Sequence, residues 1–279
     1  MTLPLTALYA PGDRPDRVAK ALTSGADVVI VDLEDAVAPS SKARARDGLA
    51  AFAGHDAQVG PALQVRVNAV GSDWSDDDLA ALTDLPLHIG VRVPKVESAA
   101  AVHAIAGLLP GRGIHALVES ALGVERAFEI ASAGVESIAL GEADLRSQLG
   151  LPRGREGEQG LQWARSRLVY AAAAAGIAAP MMSVYADIAD TAGLAASCQA
   201  GRALGFVGRT AIHPAQLPVI ESAFTPSQDD VERAREVIAR VGAAAADGVG
   251  TVVLADGAFL DVAMVQSARR TLALADRTR

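Results

Sequence analysis

Asp27–Pro39 reads D-V-V-I-V-D-L-E-D-A-V-A-P. Its first half, Val28–Val31, is an unbroken β-branched run bounded by polar residues, which predicts a strand buried on both faces, as in a parallel sheet covered by helices. Its second half places Asp32, Glu34 and Asp35 at the carboxyl end of that strand. Side chains alternate along a strand, so Asp32 and Glu34 point one way and Asp35 the other. Three carboxylates at the mouth of a buried strand are costly unless a cation or a cationic ligand faces them. The alternative is that they cap the next helix and face water.

Working outward, the same grammar recurs. Strand-like runs stand at Leu5–Ala10, Leu63–Val67, Ile89–Val93, Ile114–Val118, Val135–Leu140, Met181–Tyr185 and Phe206–Ile212. Helical spacing follows them at Pro15–Leu22, Ser40–Phe52, Ser75–Leu82, Ser98–Leu108, Val124–Ala131, Leu161–Ala175, Thr191–Leu204 and Gln216–Ala223. Repeated βα units imply a parallel sheet with right-handed crossovers, and eight of them close most naturally into a (β/α)8 TIM barrel. An open doubly wound sheet fits less well, because no G-x-G-x-x-G follows the first strand. Residues 1–224 are therefore read as the barrel and 225–279 as a helix–hairpin–helix extension. In that extension Ser227-x-x-Asp230 opens a helix as a capping box with Asp in place of Glu. Gly248-Val-Gly250 links it to a small hairpin turning at Asp256-Gly257, and a final helix starts near Asp261. A closed barrel does not need this tail for its core, so it either lids its own site or packs on a neighbouring subunit.

Composition narrows the class. Of 279 residues 51% are apolar but only 4% aromatic, which suits close helix–sheet packing more than a ring-walled cavity. A net charge of −8 argues against non-specific nucleic-acid binding. The single Cys198 allows no internal disulfide and fits a reducing cytoplasm. No signal-like start and no long apolar run point to secretion or a membrane span.

In barrels of this kind the site lies at the carboxyl ends of the strands. The polar residues falling there are Asp32, Glu34, Asp35, Arg66, Asn68, Lys95, Glu119, Glu142, Asp144 and His213. Carboxylates converging with an arginine and a lysine suit a divalent cation and an anionic substrate. Magnesium fits best, since hard cations take oxygen ligands and keep several waters, and the five histidines are scattered without zinc spacing. Glu119 and Asp144 are the first-choice ligands, the alternative for each being an ion pair at a strand end. Arg66 can grip a substrate carboxylate bidentately, or else pair with Glu34 or Asp35. Lys95 is a Schiff-base nucleophile or, more commonly after Pro at a strand end, an anion binder. His213 before Pro214 either serves the site or caps the last helix.

Read together, A-L-Y-A-P-G-D-R-P-D-R, V-I-V-D-L-E-D-A-V-A-P-S-S-K, V-R-V-N, V-P-K-V-E, A-L-V-E-S, G-E-A-D-L, A-I-H-P-A-Q and the tail's A-D-G-A-F-L-D resemble the citrate lyase β-subunit-like family, with its malyl-CoA and citramalyl-CoA lyase relatives. The resemblance spans nearly the whole chain. It implies that Glu119 and Asp144 hold Mg²⁺ and that Arg66 grips the substrate carboxylate, with Glu34, Asp35 and Lys95 around it. It implies that Pro11, Gly12, Arg17, Lys20, Ile212 and His213 help hold coenzyme A, and that Asp261 is the catalytic carboxylate, delivered from a neighbouring subunit of a trimer or multiple of trimers. The implied reaction is cleavage of a β-hydroxyacyl-CoA to acetyl-CoA and a 2-oxo acid, or the reverse condensation. Rivals are a thioesterase on the same esters, a non-catalytic acyl-binding subunit and a metal-free aldolase using Lys95. Three departures stand out: the usual G-A-E-D-L reads G-E-A-D-L, which would put the glutamate on the other strand face; Ser120 follows Glu119 where Thr is commoner; and Met182 stands where relatives often carry Asp.

Overall fold

Seven strands line up in one parallel sheet: β1 (Thr6–Pro11), β2 (Val28–Asp32), β3 (Ala62–Arg66), β4 (Gly90–Val93), β5 (Ile114–Val118), β6 (Ser137–Leu140) and β7 (Arg209–Ala211). The computed structural model describes residues 3–56, 58–152, 154–246, 251–253 and 259–277. Sheet order is β6-β5-β4-β3-β2-β1-β7, so each of the first six strands lies beside its sequence neighbour, as short right-handed βα connections require. Every residue of β2 is buried, in keeping with its β-branched run. On one of its faces Val28 and Ile30 pack with Ala7, Tyr9 and Met181. Each such aliphatic side chain removed from water contributes about 1.5–3 kcal/mol.

The helices are α1 (Pro15–Leu22), α2 (Lys42–Asp47), α3 (Ser75–Thr83), α4 (Ala99–Leu108), α5 (Ala121–Glu125), α6 (Ala127–Ala131), α7 (Glu142–Gln148), α8 (Arg155–Ala175), α9 (Thr191–Leu204) and α10 (Leu217–Phe224). None of the described helices is long and apolar enough to cross a membrane. The expected helix over 40–52 forms as α2 flanked by 3₁₀ turns at Pro39–Ser41 and Gly48–Phe52. The turn between α3 and β4 is held from a distance. Arg112, nearly inaccessible to solvent, donates from Nη1 to the carbonyls of Pro86 and Ile89 (2.9 and 2.6 Å) and from Nη2 to those of Leu82 and Leu85 (2.6 and 2.9 Å).

One expected strand does not form along its length. Of Met181–Tyr185, only Met182 bridges in parallel to Arg209. The carbonyls beyond it are taken by side chains instead: Arg209 Nε donates to Ser183 O (3.0 Å) and Gln216 Nε2 to Tyr185 O (2.8 Å). With its acceptors occupied, the segment cannot extend a ladder. On its other side Ser183 Oγ accepts the Glu142 N–H at 3.4 Å, just past the end of β6.

The chain divides into two compact units, Pro4–Glu221 and a second consisting mainly of Ser222–Arg279. In the second unit α11 (Gln228–Ala246) and α12 (Val262–Ala275) bury Ala234, Val237, Val241 and Ala268 together. The Ser-x-x-Asp cap forms reciprocally: Ser227 Oγ accepts the Asp230 N–H, and Asp230 Oδ2 accepts the Ser227 N–H, both at 3.1 Å. Between the helices β8 (Thr251–Val253) pairs antiparallel with β9 (Phe259–Asp261). The expected Gly248–Gly250 link and Asp256-Gly257 turn lie outside the described residues.

Candidate active site

The parallel register sets Asp32 at the end of β2 directly opposite Arg66 at the end of β3. Arg66 therefore pairs first with Asp32, rather than with Glu34 or Asp35 alone as the sequence suggested. Its Nε and Nη2 donate to the two Asp32 oxygens at 2.7 and 2.6 Å, the bidentate geometry that suits a guanidinium. The same carboxylate accepts the N–H groups of Glu34 (2.9 Å) and Ala36 (3.1 Å), shaping the turn after β2. The remaining Arg66 nitrogen, Nη1, lies 2.9 Å from Glu34 Oε2 and 3.2 Å from Asp35 Oδ2, and the guanidinium sits 4.7 Å above the Tyr9 ring. Strand β2 ends at Asp32, so the alternation stops there: Asp32, Leu33 and Glu34 are all buried, and Asp35, in the turn, is exposed.

Two residues that sequence reasoning passed over fix this turn from behind. Lys42 is buried, with Nζ donating to the carbonyls of Leu33 (2.8 Å) and Glu34 (2.7 Å) and lying 5.2 Å from the Trp74 ring centroid. Burial pulls its amine below the usual lysine range. Asp78 is fully buried too, although it is one of three consecutive acids in the first turn of α3, where acids ordinarily face water and complement the helix dipole. It accepts from the Asn68 backbone and side chain (2.9 and 2.6 Å) and from Arg46 (3.1 Å), while Asn68 Nδ2 also donates to Leu33 O at 2.9 Å. The Ser-Ser-Lys at 40–42 was the available signal for Lys42; for Asp78 nothing distinguished it from Asp76 and Asp77.

The second half of the site gathers around Lys95. This residue holds a left-handed backbone, φ +54°, as no other non-glycine does among the described residues, a conformation that costs of order 1–3 kcal/mol and persists only when its surroundings enforce it. Its N–H donates to Glu119 Oε1 at 2.9 Å, and its Nζ lies 3.8 Å from Asp144 Oδ2. Glu119 follows β5 and is buried. Burial, and then the charge of Asp144, push its carboxyl up to about 7. A side chain at Gly141 would collide with the Glu119 carboxylate, so the glycine leaves that group its space. Asp144 does not sit on strand β6 but in the first turn of α7.

The three departures also have places in the fold. Glu142 leads α7, not the opposite face of a strand, and is claimed by Arg165, whose Nε and Nη2 meet its two oxygens at 2.8 and 2.6 Å. Ser120 does what a Thr could do, capping α5 by accepting the Gly123 N–H at 3.1 Å. Met182 packs against α9 at Gly201.

The residues expected to hold coenzyme A fall on three elements. Gly12 donates its N–H to Asp32 O at 2.8 Å, and a Cβ there would stand 3.0 Å from that same oxygen. Arg17 and Lys20 are exposed on α1. Ile212 donates its N–H to Gln216 (3.0 Å), and His213 caps the 3₁₀ turn Pro214–Gln216, its Nδ1 accepting the Ala215 N–H at 3.2 Å. Asp261 closes β9 in the second unit, and its side chain lies outside the described residues.

A metal would find two oxygen donors here. Among the described residues no three His, Cys, Asp or Glu side chains cluster as a ready ligand set. A pair of carboxylates without histidine or cysteine suits a hard cation that keeps several waters. Beside them a cavity of about 290 Å³ opens between the ends of β2, β3 and β4, lined by Glu34, Asp35, Val37, Pro39, Lys42, Asn68, Ala69, Ser72, Trp74 and Lys95.

These acids predict an unusual pH dependence for the metal-free protein. Burial raises Glu34 to about 8 against the pull of Arg66, and Glu119 stands near 7. Both hold protons in the folded state that the unfolded chain has released, so stability is lost as pH rises through these values. Buried His115, held down to about 3, works oppositely but only below its ordinary pKa of 6.5. Between pH 6.5 and 8, thermal unfolding in EDTA should shift downward by a few degrees. Glu34→Gln should flatten the slope, and a midpoint rising over that interval would contradict this picture.

The parallel α/β sheet and an acid–lysine–arginine cluster at its strand ends define an enzyme of the aldolase type. The chain belongs to the HpcH/HpaI aldolase/citrate lyase family, whose model matches residues 5–214. It is 37% identical to a (3S)-malyl-CoA thioesterase of Cereibacter sphaeroides, over 97% of this chain and 94% of the relative. It is 33% identical to an L-malyl-CoA/β-methylmalyl-CoA lyase of Rhodobacter capsulatus, over 94% and 91%. Among solved structures it resembles the protein CitE from Mycobacterium tuberculosis in complex with magnesium, acetoacetate and coenzyme A, with a TM-score of 0.84 and 34% identity over 98% of both chains. The lyase reading of the sequence and its choice of magnesium fit these relatives.

Proposed function

We propose that this chain is a Mg²⁺-dependent carbon–carbon lyase that cleaves a β-hydroxyacyl-CoA of citramalyl-, malyl- or citryl-CoA type to acetyl-CoA and a 2-oxo acid, or runs the reverse condensation. The observation that carries this is the pair Glu119 and Asp144, joined through Lys95 and set beside the Arg66 fork. Glu119 and Asp144 would hold the metal, which when bound supplies Lewis-acid polarisation of the substrate's hydroxyl oxygen. Arg66, oriented by Asp32, faces the substrate carboxylate, with Glu34, Asp35 and Lys95 lining the approach. Asp261 takes the hydroxyl proton. The carbon–carbon bond then breaks, its electrons pass to the thioester as an enolate, and protonation of the enolate carbon gives acetyl-CoA.

In this reading the sheet closes into a TIM barrel through the Met182–Ser183 segment, with the tail as a helix–hairpin–helix. Pro11, Gly12, Arg17, Lys20, Ile212 and His213 hold coenzyme A. The tail reaches a neighbouring subunit, so the working form is a homotrimer or a multiple of it, in the cytoplasm.

A second outcome is favoured by one specific likeness, the malyl-CoA thioesterase at 37% identity: water replaces the carbon electrophile, and free coenzyme A is released. Purified protein with Mg²⁺ and a panel of hydroxyacyl-CoA esters separates the readings. Acetyl-CoA with a 2-oxo acid is the expected product pair, and EDTA should abolish it. Free coenzyme A as the first product would make the enzyme a thioesterase. No turnover of any ester by the folded protein would leave an acyl-binding subunit. Turnover that survives EDTA and is trapped by borohydride would shift the chemistry to Lys95.

A further inference from the structure

The Asp144 carboxylate makes no hydrogen bond among the described residues, and the cation nearest to it is Lys95 Nζ at 3.8 Å. Its aim therefore rests on the backbone that carries it, the first turn of α7. That helix has little to hold it together by itself. It is 7 residues long, and its N-cap, Gly141, has no side chain to accept the first N–H groups. A helix this short is not stable alone in water.

A ring of four charges binds α7 to α8. Glu142 and Arg146 stand one turn apart and share a face, while Asp144, two positions after Glu142, falls on the other side of the helix. Arg165 donates from Nε and Nη2 to the two Glu142 oxygens (2.8 and 2.6 Å) and from Nη2 to Glu158 Oε2 (2.6 Å). Arg146 Nη2 closes the ring on Glu158 Oε1 at 2.6 Å. The Arg165 and Glu142 side chains are only 11% and 13% exposed, so solvent screens their pair far less than a surface ion pair. We propose, on the reading above that Asp144 binds the metal, that the Glu142–Arg165 pair is the positioning element for Asp144. It touches neither metal nor substrate. It acts through the first turn of α7, which it pins so that Asp144 keeps its place beside Glu119.

The test titrates Mg²⁺ into the EDTA-stripped, dialysed full chain by calorimetry, with the Mg²⁺ concentration for half-maximal turnover as a second readout. Glu142→Gln should weaken Mg²⁺ binding by about tenfold, the lower end of what groups orienting a ligand are worth. Its fold should survive, because Arg165 keeps Glu158. Arg165→Gln separates aim from charge. Through the local field alone, loss of a cation would tighten Mg²⁺ binding; loss of positioning weakens it, as in Glu142→Gln. In both variants turnover should recover as Mg²⁺ is raised to saturation, which a damaged fold would not allow. Unchanged affinity in Glu142→Gln, or tighter binding in Arg165→Gln, overturns the positioning role and leaves the metal site in place. Asp144→Asn that binds Mg²⁺ like the wild type, or a wild type that binds none, overturns the ligand assignment and this inference with it.

Discussion

Asp261→Ala is expected to keep Mg²⁺ and oxo-acid binding while turnover falls by roughly two to four decades, the usual worth of a positioned general base. Asp261 ends β9, in the unit that follows the α/β sheet. In the proposed mechanism a separate carboxylate is wanted for this step, because Glu119 and Asp144 would hold the metal and Asp32 is engaged by Arg66. The kinetic signature should be a drop in kcat with little change in KM, since the interaction operates in the transition state. If a neighbouring subunit delivers the residue, mixing inactive Asp261→Ala and Glu119→Ala chains should recover part of the activity by forming intact sites at mixed interfaces. Undiminished turnover in Asp261→Ala would remove the residue from the mechanism.

The largest expected loss of stability belongs to Asp32→Ala. Its two oxygens meet four donors, Arg66 Nε and Nη2 and the N–H groups of Glu34 and Ala36. Removing one partner of a buried ion pair costs about 3–5 kcal/mol, because the other charge stays buried and unmatched. Against a typical total of about 5–15 kcal/mol this is a large share. Urea unfolding should show it as a lower midpoint with an unchanged slope, and the oxo-acid KM should rise as the Arg66 fork loses its aim. Asp32→Asn, which keeps the shape and one acceptor, should fall between. An alanine variant with the wild-type midpoint would mean that Asp32 contributes nothing net to the fold.

How far the sequence reached follows from range. The β-branched run at 28–31, the strand ends at Val118 and Leu140, and the capping box at 227–230 depend on local pattern and appear where expected, while β3 ends at Arg66, one residue before the expected Val67. The partner of Arg66 depended on register across two strands; Asp32 proved to stand opposite, while Glu34 and Asp35 share only the third nitrogen. Met181–Tyr185 read as a strand from its local pattern, but the competing donors, Arg209 and Gln216, come from far along the chain. Lys42 showed only as the end of the Ser-Ser-Lys run, which does not reveal that its amine meets the carbonyls of Leu33 and Glu34. The left-handed backbone at Lys95 was equally silent, and the carboxylate that takes its N–H, Glu119, lies twenty-four positions on.

Arg112 gives the chain a timetable. The carbonyls of Leu82, Leu85, Pro86 and Ile89 are answered by a side chain that emerges more than twenty residues after them. On the ribosome, a nascent chain halted before that arginine would hold this bend without its clamp, the carbonyls of Leu82 and Pro86 keeping only the N–H groups of Leu85 and Ile89. The turn that leads into β4 has all its partners only once the lead-in to β5 has been synthesised.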